Sequence, residues 1–467
     1  MMKKRATRRN NVAFFPASEQ AAGSSRLLLR ESDGATVRRT VLPNGLRVIS
    51  EEIPGSRSVS LGVWAGVGSR DETDQSRGAA HFLEHLQFKG THRRSALAIA
   101  SEIDAVGGIA NAFTSKEYTC FYAKVLGRDL PVAVDVMLDM TTQPLLAESD
   151  IDAERTVVVE EIGMHEDDPG DRAGEALDQA VLVDSPLARP ILGTRESIAS
   201  MNPATIRSFY RRHYRPERLA LTAAGAVDHR KLVTMVRRAT RDLDWAEATP
   251  RKLHRRISRR YRNPATGGIG WQEWSGGQCT VALAMPGLPR AHPERPALEV
   301  LNEIIGGGMS SRLFQNIRET HGLAYSVHSG HSAYSDAGVW SAGAGCQQER
   351  AGEVLELMLA ELDAIVANGP YVEEVGRAKG HLSGNLVLGS EETSARMAAL
   401  GRAEVATGEL LSVDQALGRI AAVSVDDVSA VARKVLSAPP NVSIVGGPGR
   451  VRERKKIAAL IQGGSSE

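Results

Sequence analysis

The chain is 467 residues long, 42% hydrophobic and 24% charged, a balance that excludes a disordered polymer and suits a soluble globular protein. Lys plus Arg (57) and Asp plus Glu (56) nearly cancel, which excludes a global field drawing the chain onto nucleic acid or an anionic membrane surface. Length excludes a single core, because cores stop growing near roughly 250 to 300 residues, so two large domains, or two pairs of smaller ones, are expected.

Residues 1–39, basic from Lys3 to Arg9 and rich in Arg, Ala and Ser, read as a disordered tail, with a cleavable targeting peptide as the alternative. No apolar h-region follows, and no run reaches the 18 or so apolar residues of a membrane helix, so neither secretion nor membrane spanning is expected. Structure is expected from Thr40, where two alternating runs flank Pro43-Asn44-Gly45 as a β-hairpin, followed by a strand over Ser58 to Val67. Gln75 to Phe88 places Ala79, Phe82, Leu83 and Leu86 on one helical stripe that stops at Gly90. A helix over Leu97 to Val106 ends at Gly107-Gly108, and two strands, Ile109 to Thr114 and Tyr118 to Val125, flank a turn at Ser115-Lys116. Helices then dominate to about Arg212, before a strand over Leu219 to Ala226 and a helix from His229 to about Leu243.

From Trp271 the order restarts. A strand (Cys279 to Ala284), two helices (Arg295 to Ile305 and Arg312 to Thr320), two strands (Ala324 to Ser332 and Ala337 to Ala344) and long helices follow. The reading is an α+β fold of two homologous domains, an N-terminal one over 40–248 and a C-terminal one over 271–449. A linker over 249–270, rich in Arg with Pro264, Gly267 and Gly268, joins them, and a tail covers 450–467. A basic linker can also bind nucleic acid, but nothing else in the chain supports that. Cys120, Cys279 and Cys346 are odd in number and lack CxxC spacing, which reads as buried thiols in a reducing compartment.

The chemistry sits in His81-Phe82-Leu83-Glu84-His85. Histidines at i and i+4 share a helix face and can reach one ion about 2.0 to 2.1 Å from each nitrogen. Two histidines alone are more often ordinary surface or core residues. Glu84, on nearly the same face, reverses that reading, because a carboxylate beside a metal-held water can take its proton. HxxEH is the HExxH zinc motif read backwards, the inverzincin signature. The third ligand should be an acid, and a helix over Ile151 to Glu166, capped by Ser149 or Asp150, offers Glu154, Glu160 and Glu161. Glu154 and Glu161 share a face while Glu160 points about 100° away from Glu161, and helix geometry does not choose among them. The second domain has Leu298, Asn302 and Glu303 where the first has its paired histidines, so only the first can hold the metal.

Together these residues resemble the pitrilysin or insulinase family, in its half-length branch with the mitochondrial processing peptidases and their bacterial relatives. The resemblance runs from about Val41 to about Val445. It is carried by Leu42-Pro43-Asn44-Gly45-Leu46, by His81 to His85 within a run continuing Leu86-Gln87-Phe88-Lys89-Gly90-Thr91, and by Glu154-Arg155 with Glu160-Glu161. It implies a zinc metalloendopeptidase acting on peptides or unfolded segments, with one zinc held by His81, His85 and Glu161, and Glu84 as base. Glu154 then supports the ligands. Each domain would be a mostly antiparallel sheet packed with helices, the two facing each other around a chamber. The resemblance also makes Gly107 to Ser115 an edge strand where Asn111 and Ala112 meet the substrate backbone, and gives Arg318 a grip on substrate and Tyr325 a hydrogen bond to the oxyanion. It implies a homodimer, or pairing with a paralogous subunit, in the bacterial cytoplasm, with the mitochondrial matrix as the alternative. A non-catalytic scaffold or presequence-binding subunit of the same family is the rival reading.

Overall fold

A computed structural model describes residues 20–243, 267–447 and 457–458. The first half contributes strands β1 (Ser25–Arg30), β2 (Thr36–Val41), β3 (Arg47–Glu52) and β4 (Ser58–Ala65), then helices α1 (Ala79–Gln87) and α2 (Ala96–Asp104). Strands β5 (Ile109–Thr114) and β6 (Thr119–Leu126) precede α3 (Leu130–Thr142), α4 (Glu148–Asp167), α5 (Pro169–Val181), α6 (Arg195–Ser200) and α7 (Pro203–His213). Strand β7 (Leu219–Gly225) and α8 (His229–Ala239) close it.

The second half repeats part of that series, with no counterpart of β1 and β2 among the described residues. It has β8 (Ile269–Glu273), β9 (Cys279–Pro286), α9 (Arg295–Gly306), β10 (Ala324–Ala333), β11 (Gly338–Cys346), α10 (Ala351–Asn368) and α11 (Val372–Ser390). Helices α12 (Thr393–Arg402), α13 (Val413–Ala421) and α14 (Val425–Leu436) and strand β12 (Asn441–Gly446) complete it. One sheet has the order β1-β2-β3-β7-β4-β6-β5 and the other β10-β11-β9-β12-β8. In both, the pairing is antiparallel except at one place, β3 with β7 and β8 with β12. The repeat of that exception at the same position is what a duplicated α+β domain predicts.

Each sheet packs one face on its own helices, and the two main cores lie there. The opposite faces are covered reciprocally. Helix α5 of the first half lays Ala173, Leu177 and Val181 against Ala282, Ala284 and Val445 of the second sheet. Helix α12 of the second half lays Met397 and Leu400 against Trp64, Ala220 and Ala224 of the first. Burying a side chain of Leu or Val size is worth roughly 1.5 to 3 kcal/mol, so this exchange ties the halves together through apolar area. Charge ties them as well. Arg70 meets Glu117 at 2.8 Å and Asp336 at 2.7 Å, Arg290 reaches Glu117 at 2.8 Å, and Arg39 pairs with Glu404 at 3.0 Å. A cavity of about 320 Å³ lies between the halves, lined by Tyr118 of the first and by Arg290, Asn302 and His331 of the second.

Several expectations need correction. Residues 20–39 are not a tail: β1 pairs antiparallel with β2, and Val37 and Ala35 are buried. The Arg-rich composition misled because Arg39 is neutralised by Glu404, a partner 365 residues away. At the other end, Ile457, inside the expected tail, is buried in the second core. The expected linker over 249–270 lies outside the described residues up to 266, and β8 already begins at Ile269. Helix α4 starts at Glu148 with Ala147 at its cap, so Ser149 and Asp150 sit in its first turn instead of capping it. The expected helix over Arg312 to Thr320 becomes a π-helical turn over Phe314–Thr320, with the His321 amide reaching back five residues to the Asn316 carbonyl at 3.2 Å.

Candidate metal centre and its family

Helix α1 is held from both sides. Phe82, Leu83 and Leu86 are fully buried in the first core, which fixes the helix rotation and turns His81, Glu84 and His85 toward α4. Its N-terminus starts at Gly78, whose φ of 84° is left-handed and whose missing Cβ would lie 2.7 Å from the Leu192 carbonyl, so glycine is required there. Gly78 has no side chain to cap the helix, and Glu72 does that work instead: its carboxylate accepts the amides of Gly78 (2.8 Å) and Ala80 (2.9 Å).

Helix α4 faces α1 with a buried stripe of Ile151, Glu154, Val158 and Ile162. That rotation settles which acids point inward. Glu161 Oε1 lies 3.6 Å from His81 Nε2, and its Oε2 lies 3.3 Å from His85 Nε2. Glu160 is exposed, and no ion pair among the described residues joins it to either histidine. Glu154 Oε1 accepts from His85 Nδ1 at 2.9 Å, which aims the other ring nitrogen at Glu161.

One donor atom from each of His81, His85 and Glu161 lies within 4.8 Å of the others, and these form the only such group of three among the described residues. Ligands bound tetrahedrally about 2.0 to 2.1 Å from zinc sit about 3.3 to 3.4 Å apart, and the two nitrogen-to-carboxylate separations lie close to that. Two imidazoles with one carboxylate is a donor set that catalytic zinc takes, so the residues fit the ion. Hydrogen bonds from His81 and His85 hold the Glu161 carboxyl far below the usual range, the state a ligand needs. Burial opposes a charged His85 ring, but the adjacent Glu161 and Glu154 carboxylates outweigh it and raise its pKa.

Glu84 is buried beside this group, and Thr114 Oγ1 donates to its Oε2 at 2.5 Å. Burial raises the Glu84 pKa, with the Thr114 bond pulling the other way. Thr114 ends β5, which is the outermost strand of its sheet and so keeps one side of its main chain unpaired. Asn111 lies exposed on it, while Ala112 packs toward the core. Arg318, on the π-helical turn, donates to the Tyr325 carbonyl at 3.0 Å and lies 5.1 Å from that ring's centre; Tyr325 is 80% exposed. No hydrogen bond or ion pair among the described residues joins Arg318 or Tyr325 to the histidines.

Three contributors escaped the sequence reading. Glu72 and Thr114 reach α1 from 6 and 30 residues away with no local spacing to betray them. Lys89 lies two residues past the end of α1, and its Nζ contacts Glu154 Oε2 on α4, a meeting that no local spacing encodes.

Similarity searches agree on the family. The model of the insulinase family (peptidase family M16) matches residues 47–195, and the model of the peptidase M16 inactive domain matches residues 200–382. An uncharacterised zinc protease of Streptomyces coelicolor is 47% identical over 444 residues, covering 94% of this chain and 96% of that protein. The uncharacterised zinc protease YmxG of Bacillus subtilis is 35% identical, covering 86% and 96%. Among solved structures, a protease from Helicobacter pylori superposes with a TM-score of 0.79 at 20% identity, covering 92% of this chain and 100% of that one. A peptidase M16 inactive domain from Pseudomonas fluorescens gives 0.80 at 19% identity, covering 88% and 98%. These structures share the two-domain fold. No helix among the described residues is long and apolar enough to cross a membrane. With two family models spanning most of its length and relatives of this identity along nearly all of it, the chain belongs to the insulinase family, peptidase family M16.

Proposed function

We propose that this chain is a zinc metalloendopeptidase that hydrolyses peptides or unfolded protein segments, with Glu84 as general base. The observation that carries the reading is the convergence of His81, His85 and Glu161 beside a buried Glu84. One zinc bound there would supply a Lewis acid and a water acidic enough to react near neutral pH. His81, His85 and Glu161 would hold it, and Glu154 would orient His85. Thr114 occupies one oxygen of Glu84, leaving the other to accept the proton of the attacking water and pass it to the leaving amine. Its raised pKa brings base and acid roles closer to neutral pH.

The unpaired side of β5 gives an extended peptide a strand to join, with Asn111 and Ala112 along its backbone. Only a chain without its own structure can lie so, which favours peptides and unfolded segments. Arg318 would hold substrate backbone and Tyr325 would donate to the oxyanion, the contact between them keeping them as a unit. The working assembly is read as a homodimer, or a pair with a paralogue, in the bacterial cytoplasm. A non-catalytic binding subunit is the second reading; the inactive-domain match covers residues 200–382, outside the helices that carry the histidines and Glu161, and fits both readings. Hydrolysis of a fluorogenic peptide library by wild type and Glu84→Gln, with bound zinc quantified, separates the two. The enzyme reading expects zinc in both and a rate about 10²- to 10⁴-fold lower in the variant; zinc in both and cleavage in neither contradicts it.

A further inference from the structure

Lys89 is used by no step above, yet it touches the metal centre through one intermediary. Its Nζ contacts Glu154 Oε2, while Glu154 Oε1 lies 2.9 Å from His85 Nδ1 and His85 Nε2 lies 3.3 Å from Glu161. The chain of contacts is therefore ammonium, carboxylate, imidazole, ligand carboxylate. The Glu154 side chain is only 5% exposed. The last torsion of a glutamate side chain is soft when one oxygen alone is held, and a second partner on the opposite oxygen stiffens it. His81 has no such support, for its Nδ1 is buried without a hydrogen-bond partner among the described residues. His85 is thus the ligand whose orientation the protein sets through its surroundings.

We propose that Lys89 is a positioning residue of the metal centre: it anchors the outer oxygen of Glu154 so that the inner one stays on His85 Nδ1 and keeps Nε2 on the metal side. The inference rests on the zinc reading above. Charge alone predicts the opposite of position. An ammonium near a cation site repels the cation, so removing it should tighten zinc binding, whereas removing an orienting partner should loosen it by about 10- to 100-fold. The sign of the effect therefore reports the role.

The test uses the full chain as wild type, Lys89→Met, Lys89→Arg, Glu154→Gln and the Lys89→Met/Glu154→Gln double variant. Zinc affinity is read by competition with a chromophoric chelator, ligand geometry by the visible bands of the cobalt(II)-loaded protein, and folding by melting of the metal-free protein. Lys89→Met should bind zinc about 10- to 100-fold more weakly with altered cobalt bands and unchanged metal-free melting, and Lys89→Arg should restore both. The double variant should be no weaker than Glu154→Gln, because the lysine acts through that carboxylate. Zinc affinity in Lys89→Met equal to or tighter than wild type overturns the proposal, as do additive losses in the double variant. A loss that tracks lower metal-free melting and is not restored by arginine makes Lys89 merely structural and overturns it too. If wild type binds no zinc, the zinc reading itself fails and the role of Lys89 with it.

Discussion

The two halves share the strand order of their five-stranded parts, β5-β6-β4-β7-β3 and β10-β11-β9-β12-β8, and differ in chemistry at one pair of helices. In the first, α1 turns His81, Glu84 and His85 toward α4, which answers with Glu154 and Glu161. In the second, α9 turns Asn302 and Glu303 toward β10 and α11, which answer with Ser329 at 2.8 Å and with His381 against the carboxylate. The second half therefore lets an imidazole and an acid satisfy each other directly, and among the described residues no third donor joins them in a group that could hold an ion. The first half holds two imidazoles and an acid around a common point. One scaffold supports both outcomes, so function here resides in a few side chains and not in the fold.

Removing one donor from each half should give the largest difference between them. His85→Ala should abolish tight zinc binding and reduce peptide hydrolysis to background, a loss of at least about 10⁴-fold, while His381→Ala should leave bound zinc at the wild-type level. Metal analysis of the two purified variants checks this, and equal loss in both would erase the distinction between the halves.

A smaller effect comes from a histidine that α8 of the first half buries under its sheet. His229 has Thr40 Oγ1 and Ser50 Oγ at 2.8 Å from its two ring nitrogens, and burial, with Arg38 nearby, pushes its pKa down to about 4 from an ordinary 6.5. Below pH 6.5 the unfolded chain takes up a proton that the folded ring refuses. Its contribution is therefore full above 6.5 and is lost as pH falls toward 4, by at most about 3 kcal/mol after allowing for screening. Denaturant titrations of wild type and His229→Asn across pH 4 to 7 should show the difference between them shrinking as the pH falls. A constant difference contradicts the assignment.

The smallest expected change sharpens the role of Thr114. Thr114→Val keeps the shape of the side chain and removes the donor to Glu84 Oε2, so hydrolysis should fall about tenfold, the equivalent of one hydrogen bond to a charged group, with zinc content unchanged. Steady-state kinetics with metal analysis decides it; lost zinc would place Thr114 in ligand support instead.

What the residues reveal on their own is what local spacing encodes. The Asn44-Gly45 turn follows from a short-range rule and forms as expected, with Gly45 at φ 86° and Asn44 Oδ1 accepting the Leu46 amide. His81 and His85 are one helical turn apart and need no tertiary knowledge to be paired. The choice among Glu154, Glu160 and Glu161 was beyond spacing, because it depends on how α4 is rotated against α1, a packing property set by Val158 and Ile162. The crossing of α5 and α12 to opposite sheets was equally hidden, since each helix has an ordinary apolar stripe and nothing in the stripe names its partner. Strand β1 and the first four residues of β2 lie outside the expected hairpin for the same reason: Arg39 looks like a tail residue until Glu404 is placed beside it.

The most direct test of the account is anomalous diffraction at the zinc edge from crystals of the zinc-loaded full chain. One strong peak per chain is expected, bounded by His81 Nε2, His85 Nε2 and the Glu161 carboxylate, with none at Glu303 and His381. A chain without a peak at the first position, or with its peak between Glu303 and His381, would contradict it.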